Sequence, residues 1–384
     1  MSGKNIETIC LHHGAVDDKT YKGAISPIYM STAYQFNEVD KKRYPRYINT
    51  PNQECVSKKI AALEKGEAAI VFGSGMAAVT TSLLSHLNSG DHVVFYNDIY
   101  GGTRNLIKKE FKKYGIFYSF TSGSNLKDFE KCIKKNTKGI YIESPSNPLL
   151  KIVDMQLISK MAKSKNLWTM IDNTFASPVN QNPIDFGIDV VIHSATKYLG
   201  GHSDISAGAV ISSKDRINRV YELAKSLGGT LSEFSAWLLE RSIKTLPIRV
   251  WQQNENAMEL ANFLNSHSLI SKVYYPGLIT HEGHEIAKRQ MKGYGGMLSI
   301  ELDPNIKPEL FLKNLKIIKP VMSLAGIEST ANYPKLTSHY SLTDKERSLQ
   351  GISDQLIRLS AGIESIIDLK NDIDKSLKCS VNEN

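Results

Sequence analysis

The feature that most constrains this chain is an alternation running from residue 67 to residue 211. Short apolar runs, E-A-A-I-V-F, H-V-V-F-Y-N-D, I-F-Y-S-F, K-G-I-Y-I-E, L-W-T-M-I-D and D-V-V-I-H, read as strands. Helical spacing fills 53–65, 103–114, 125–135 and 155–165 around them. Strand and helix in turn predict a mostly parallel sheet clothed by helices, because each parallel return needs a crossover. The apolar runs repeatedly end in polar residues: Tyr100, Asn147, Asp172, and Ser194 to Lys197. Open α/β sheets bind ligands at the carboxyl ends of their strands, so these residues are expected along one edge.

The richest of these ends lies in Asp189 to Val210, D-V-V-I-H-S-A-T-K-Y-L-G-G-H-S-D-I-S-A-G-A-V. Val190 to Ile192 suit a buried strand, and they deliver His193, Ser194, Thr196 and Lys197 to its end. A second apolar, small-residue run follows at 205–211. Between two apolar segments a lysine is partly desolvated, which favours the neutral amine needed to form a Schiff base. The Ser194 and Thr196 hydroxyls beside it suit a phosphate.

Upstream, a strand enters Gly73-Ser74-Gly75-Met76-Ala77-Ala78 and then a small-residue helix start. Helix dipole and free N–H groups make that junction an anion site. It also satisfies G-x-G-x-x-A, with Asp98 as the acid after the next strand, so a nicotinamide dinucleotide site stays open at this point. Residues 1–50 are rich in Tyr, Pro and Gly; Pro45 and Pro51 predict an extended arm with turns and no helix of its own. Such an arm must lie on its own domain or on a partner subunit, and it offers Tyr44 and the anion-binding fork of Arg46.

After about residue 240 the pattern turns to long helices interrupted at Pro247, then to strands G-G-M-L-S-I-E-L and Q-L-I-R-L-S, as in a smaller α+β domain. Arg358 stands inside the second of these, where a guanidinium wants a carboxylate from protein or substrate. His281 and His284 lack the i, i+4 helical spacing of a metal pair. The expected organisation is an arm over 1–50, a large domain over 51–240 and a small one over 241–384.

At 384 residues the chain is too long for one core. No apolar run is long enough to span a bilayer, and M-S-G-K-N-I-E-T-I-C lacks the layout of a secretory signal, so the expected location is the cytoplasm. The four cysteines show no C-x-x-C pair. The net charge of +8 comes from lysines scattered in helix-surface patterns rather than from an Arg-rich, aromatic stripe, which argues against nucleic acid as a partner.

A strand-end lysine, a strand-end aspartate, a phosphate cradle and a tyrosine meet the needs of pyridoxal 5′-phosphate (PLP): an amine to bind its aldehyde, an acid to keep the ring nitrogen protonated, and donors for the phosphate. NAD chemistry needs no such lysine. The motifs F-G-S-G-M-A-A, D-I-Y-G-G-T, E-S-P-S-N-P, I-D-N-T-F-A-S-P, H-S-A-T-K-Y-L-G-G-H-S-D and S-L-A-G-I-E-S carry a resemblance covering nearly the whole chain. The sequence resembles the PLP-dependent enzymes of cysteine and methionine metabolism, the cystathionine γ-lyases, cystathionine β-lyases, cystathionine γ-synthases and methionine γ-lyases.

That resemblance implies the aspartate-aminotransferase-like PLP-dependent transferase fold of type I, usually assembled as a homotetramer of two active dimers. It implies Lys197 as the Schiff-base lysine, Asp172 as the partner of the ring nitrogen and Tyr100 as the stacking ring. Gly75, Met76, Ser194 and Thr196 would hold the phosphate, while Tyr44 and Arg46 would reach the phosphate of a neighbouring subunit. Asn147, Ser323 and Arg358 match positions near the cofactor hydroxyl and the substrate α-carboxylate. The implied activity is elimination at Cγ or Cβ of cystathionine or a related thioether amino acid. The alternatives are γ-replacement on an O-acyl-homoserine and methionine cleavage, with a nicotinamide oxidoreductase further off. Arg43, Met322 and Gly102 stand where family members commonly carry two glutamates and, in methionine γ-lyases, a cysteine.

Overall fold

The computed structural model describes residues 3–338, 340 and 343–381. The alternation becomes a sheet of β1 (Ala68–Phe72), β2 (His92–Phe95), β3 (Phe117–Phe120), β4 (Thr137–Glu143), β5 (Trp168–Asp172), β6 (Val190–His193) and β7 (Gly208–Ser212), in the order β1-β7-β6-β5-β4-β2-β3. β3, β2, β4, β5 and β6 pair in parallel, and β7 runs antiparallel between β6 and β1. Ile140–Ile142, Met170, Ile171 and Val190–Ile192 are fully buried. Helices cover both faces of this sheet, which is why its central strands read as continuous apolar runs and not as an alternation.

Around the sheet lie α1 (Ile6–His12), α2 (Pro51–Leu63), α3 (Gly75–His86), α4 (Gly101–Glu110), α5 (Leu126–Glu130), α6 (Met155–Ser164), α7 (Ser177–Asn180), α8 (Lys214–Leu227) and α9 (Glu233–Ile243). The helix expected over 125–135 stops at Glu130. Lys131, Lys134 and Lys135 would place like charges three and four residues apart on one face. The expected absence of helix from the arm is overturned by α1. Its Cys10 is fully buried in the core that also holds Val56 and Ile60, and the Cys10 carbonyl accepts a hydrogen bond from the buried Lys59 ammonium at 2.8 Å. Seven residues carry too little periodicity to announce themselves, and tertiary packing supplies the stability.

Pro247 interrupts the helical pattern as expected, sitting in the first turn of α10 (Leu246–Asn265) where its missing N–H costs nothing. Beyond it, β8 (Ile270–Tyr274), β9 (Met297–Leu302), β10 (Lys319–Pro320), β11 (Thr330–Asn332) and β12 (Leu356–Ser360) form a second sheet ordered β10-β11-β12-β9-β8. Ile357 and Leu359 share a core with Leu260 and Leu264 of α10 and with Leu369 and Ile373 of the helix Ile366–Lys378. Strand alternation therefore turns Arg358 to the opposite face of β12, toward the first sheet. Among the described residues no helix is long and apolar enough to cross a membrane.

Candidate active site

The carboxyl ends of β4, β5 and β6 stand side by side, with Glu143 paired to Asp172 and Asp172 to Ile192 in the register. Asp172 closes β5 almost fully buried, and its Oδ1 accepts the Thr174 N–H at 3.0 Å. Burial raises its pKa, while the Thr174 hydroxyl and N–H and the His193 ring pull the other way. Behind it the buried His193 Nε2 lies 2.5 Å from Glu64 Oε1, which also accepts from Asn173 Nδ2 at 2.8 Å.

Lys197 sits on the turn after β6. Its half-buried amine lies 2.9 Å from Ser323 Oγ, and burial, then the Arg358 charge, bring its pKa down to about 8. The turn is clamped by Arg249 of α10, whose Nη1 donates to the Tyr198 carbonyl at 2.9 Å and Nη2 to the Ser242 carbonyl at 3.0 Å. Gly201 lies against that guanidinium with φ +68°, leaving no room for a side chain.

From the second sheet, Arg358 reaches across β12. Its Nη1 donates to Asn147 Oδ1 at 2.9 Å and its Nη2 to the Ser323 carbonyl at 3.1 Å. It is 4% exposed, burial lowers its pKa to about 10, and among the described residues it has no carboxylate within ion-pair distance. A buried guanidinium without an anion is an expensive arrangement that a ligand carboxylate would relieve. Ser323 thus touches both the amine and the arginine. Its φ is +98° and that of Ala325 +61°, a region costing non-glycine residues on the order of 1 kcal/mol. The Ser360 hydroxyl, accepting the Ala325 N–H at 2.7 Å, holds the loop in place.

The anion cradle forms where β1 meets α3. Ser74 caps the helix by accepting the Ala77 N–H at 3.1 Å, leaving the N–H groups of Gly75 and Met76 in the first turn without intrahelical partners. A Cβ on Gly75 would lie 2.8 Å from Ser194 Cβ and 2.9 Å from its Oγ, so the glycine lets the helix start close on Ser194. The Thr196 hydroxyl has partners within the chain. It exchanges two hydrogen bonds with Ala207, donating at 3.1 Å and accepting at 3.0 Å, and thereby fastens the Lys197 turn to the chain entering β7.

Tyr100 caps α4 with its ring 46% exposed, packed over Gly102 so closely that a Cβ there would lie 2.5 Å from Cε1. Its backbone N–H donates to Glu143 Oε2 at 2.7 Å. Tyr44 and Arg46 are not drawn into this group. The Arg46 guanidinium lies over the Tyr44 and Tyr47 rings and donates to the Lys225 carbonyl near the end of α8. Arg43 pairs with Glu54 at 3.3 Å, whereas Met322 lies 70% exposed beside Ser323. His284 Nδ1 is bonded to the Pro276 carbonyl at 2.8 Å and His281 Nε2 approaches that of Leu149 at 3.4 Å.

Two observations count against a dinucleotide site. β1 lies at the sheet edge beside antiparallel β7, with β2 at the far side of the sheet, so the glycine turn does not open an adjacent βαβ unit. Asp98 is paired with Lys151 at 2.7 Å. The edge does fit PLP: a lysine with a lowered pKa, an aspartate buried at a neighbouring strand end, and a helix start brought within contact of Ser194. Glu64, Glu143 and Arg249 have no role in the sequence reading. Glu143 closes an apolar strand just as Asp172 does, and that was its available signal; Glu64 and Arg249 read as ordinary helix charges.

A fold of this topology with such an edge is that of the PLP-dependent transferases of type I. The chain belongs to the Cys/Met metabolism PLP-dependent enzyme family, whose profile matches residues 7–378. It is 43% identical over 378 residues to a cystathionine beta-lyase of Lactococcus lactis subsp. cremoris, covering 97% of this chain and 99% of that one. It is 41% identical over 377 residues to a cystathionine gamma-lyase of Bacillus subtilis, with 97% and 99% covered. The crystal structure of cystathionine gamma-lyase from Lactobacillus plantarum complexed with L-serine superposes with a TM-score of 0.94 at 37% identity, covering 98% of this chain and 99% of that one.

Proposed function

We propose that the chain is a PLP-dependent carbon–sulfur lyase that eliminates at Cγ or Cβ of cystathionine or a related thioether amino acid. The observation that carries this reading is the Lys197–Ser323–Arg358 link, which sets a lysine amine with a lowered pKa beside a buried guanidinium lacking an anion. An α-amino acid presents the matching pair, an amine and a carboxylate on one carbon.

When bound, PLP supplies the electron sink that makes the substrate Cα–H acidic. Lys197 Nζ would hold the cofactor and, with its amine free, would take the substrate's Cα proton. Asp172 holds the protonated ring nitrogen. Gly75 and Met76 offer backbone N–H groups to the phosphate, and Ser194 its hydroxyl; Thr196 secures the Lys197 turn and joins the phosphate contacts. Tyr100 would lie against the cofactor ring and supply the proton that the departing sulfur needs. Arg358 binds the α-carboxylate, assisted by Asn147 and Ser323. With one water consumed in either case, β-elimination of cystathionine releases homocysteine, pyruvate and ammonia, and γ-elimination moves a further Cβ proton and releases cysteine, 2-oxobutyrate and ammonia.

The same reading makes the protein a homotetramer of two active dimers, in which Tyr44 and Arg46 serve the phosphate of a neighbouring subunit. The large exposed apolar side chains of the arm, Tyr21, Met30 and Phe36, support a covering partner. It also places the protein in the cytoplasm, a location that four free cysteines suit. The test is the visible spectrum of the purified protein before and after adding L-cystathionine, with product analysis. A yellow protein whose band shifts as either product set forms supports the reading, and the products fix the bond cleaved. A yellow protein inert to cystathionine moves the activity to methionine cleavage or γ-replacement. One that stays colourless when PLP is supplied overturns it.

A further inference from the structure

Tyr100 is the most exposed aromatic of the edge, and its hydroxyl makes no hydrogen bond among the described residues. Its ring is therefore placed by its backbone. The Tyr100 carbonyl accepts the Arg104 N–H at 3.0 Å inside α4, and its N–H donates to the Glu143 carboxylate at 2.7 Å. Glu143 is 5% exposed and ends β4, a strand held between β2 and β5. A carboxylate at that point also faces the positive end of the α4 dipole. Its cost is evident: burial, then neighbouring Asp172, hold its pKa well above the usual range, while the N–H groups of Tyr100 and Asn147 act to keep it ionised. A buried acid beside a second acid is poor for stability alone.

We propose that Glu143 is a positioning residue of this site, acting through the Tyr100 backbone to fix the ring over the cofactor and through the Asn147 backbone to steady the partner of Arg358. The inference rests on the roles given above to Tyr100 and Asn147. Its first readout needs no cofactor: amide hydrogen exchange in the segment 97–105 of the full-length protein. Replacing Glu143→Ala removes the buried acceptor of the Tyr100 N–H, so exchange there is expected to quicken about tenfold or more, with distant segments unchanged. In the PLP-loaded protein the same variant is expected to lose the visible circular dichroism of the bound cofactor, to lower kcat about tenfold and to raise KM about threefold.

Glu143→Gln keeps one oxygen acceptor and is expected to recover most of each loss. An Ala variant with wild-type exchange, dichroism, kcat and KM overturns the proposal. If Ala does not fold, Glu143→Asp, too short to reach the Tyr100 N–H, replaces it: faster exchange in 97–105 supports the proposal and unchanged exchange overturns it. A wild-type protein that binds no PLP sinks the functional reading, whereas a PLP-binding wild type with an indifferent Ala variant sinks this inference alone.

Discussion

The strand-end edge and the N-terminal arm make opposite use of the same kinds of residue. At the edge, each polar group is tied to a rigid element. Arg358 is buried on β12 and bonded to Asn147 and Ser323, and Asp172 and Glu143 close packed strands. On the arm, Arg46 rests on two tyrosines and one carbonyl, while Tyr21, Met30 and Phe36 face outward. One arginine is fixed by its own chain before any ligand arrives; the other lies on a segment whose apolar side chains have little to cover them. Burial preorganises the edge, and the arm is left without it.

That contrast breaks most visibly at Lys197. Lys197→Ala is expected to lower turnover about a thousandfold or more while some PLP is still bound, because the proposed general-base and attachment roles are lost together. Near-normal turnover would remove the edge from the chemistry. Arg358→Leu should raise KM for the amino acid roughly 10- to 100-fold, the worth of a charge-assisted hydrogen-bond pair, and steady-state kinetics will read it. An unchanged KM would mean that the arginine only braces Asn147.

A smaller effect follows from the lowered pKa of Lys197. In the PLP-free protein the amine is the nucleophile, and it loses its proton as pH rises through about 8. The rate of PLP capture should therefore climb about fivefold between pH 7 and pH 8 and level off above 9. A rate still climbing steeply at pH 10 would place the amine in water. Sharpest for the arm is a mixing test. Lys197→Ala and Arg46→Ala proteins, each weak alone, are co-refolded; if the arm serves the neighbouring subunit, about a quarter of the sites are intact. No recovery would return the arm to its own chain.

The parallel core and most of the edge were legible because their signals are local. Val190–Ile192 and Met170–Ile171 are buried on both faces and read as unbroken apolar runs, and Asp172 and Lys197 end them. What escaped the sequence depends on contacts distant along the chain. α1 is held by Lys59, β10 and β11 have only two and three residues, and Thr196 turns to Ala207 across the β6–β7 connection. The resemblance implied that Ser323 and Arg358 lie near the substrate, but the contact of that one serine with both the amine and the guanidinium joins residues far apart along the chain and has no local signal.

That serine stands 126 residues after the lysine it touches, and the arginine follows on the last strand of the second sheet. A growing polypeptide therefore displays the lysine long before the proposed carboxylate receptor exists. Chains halted before that strand would carry the amine without the proposed means to orient an amino acid, so capture of substrate, unlike capture of an aldehyde, reports that the second sheet has been made and docked.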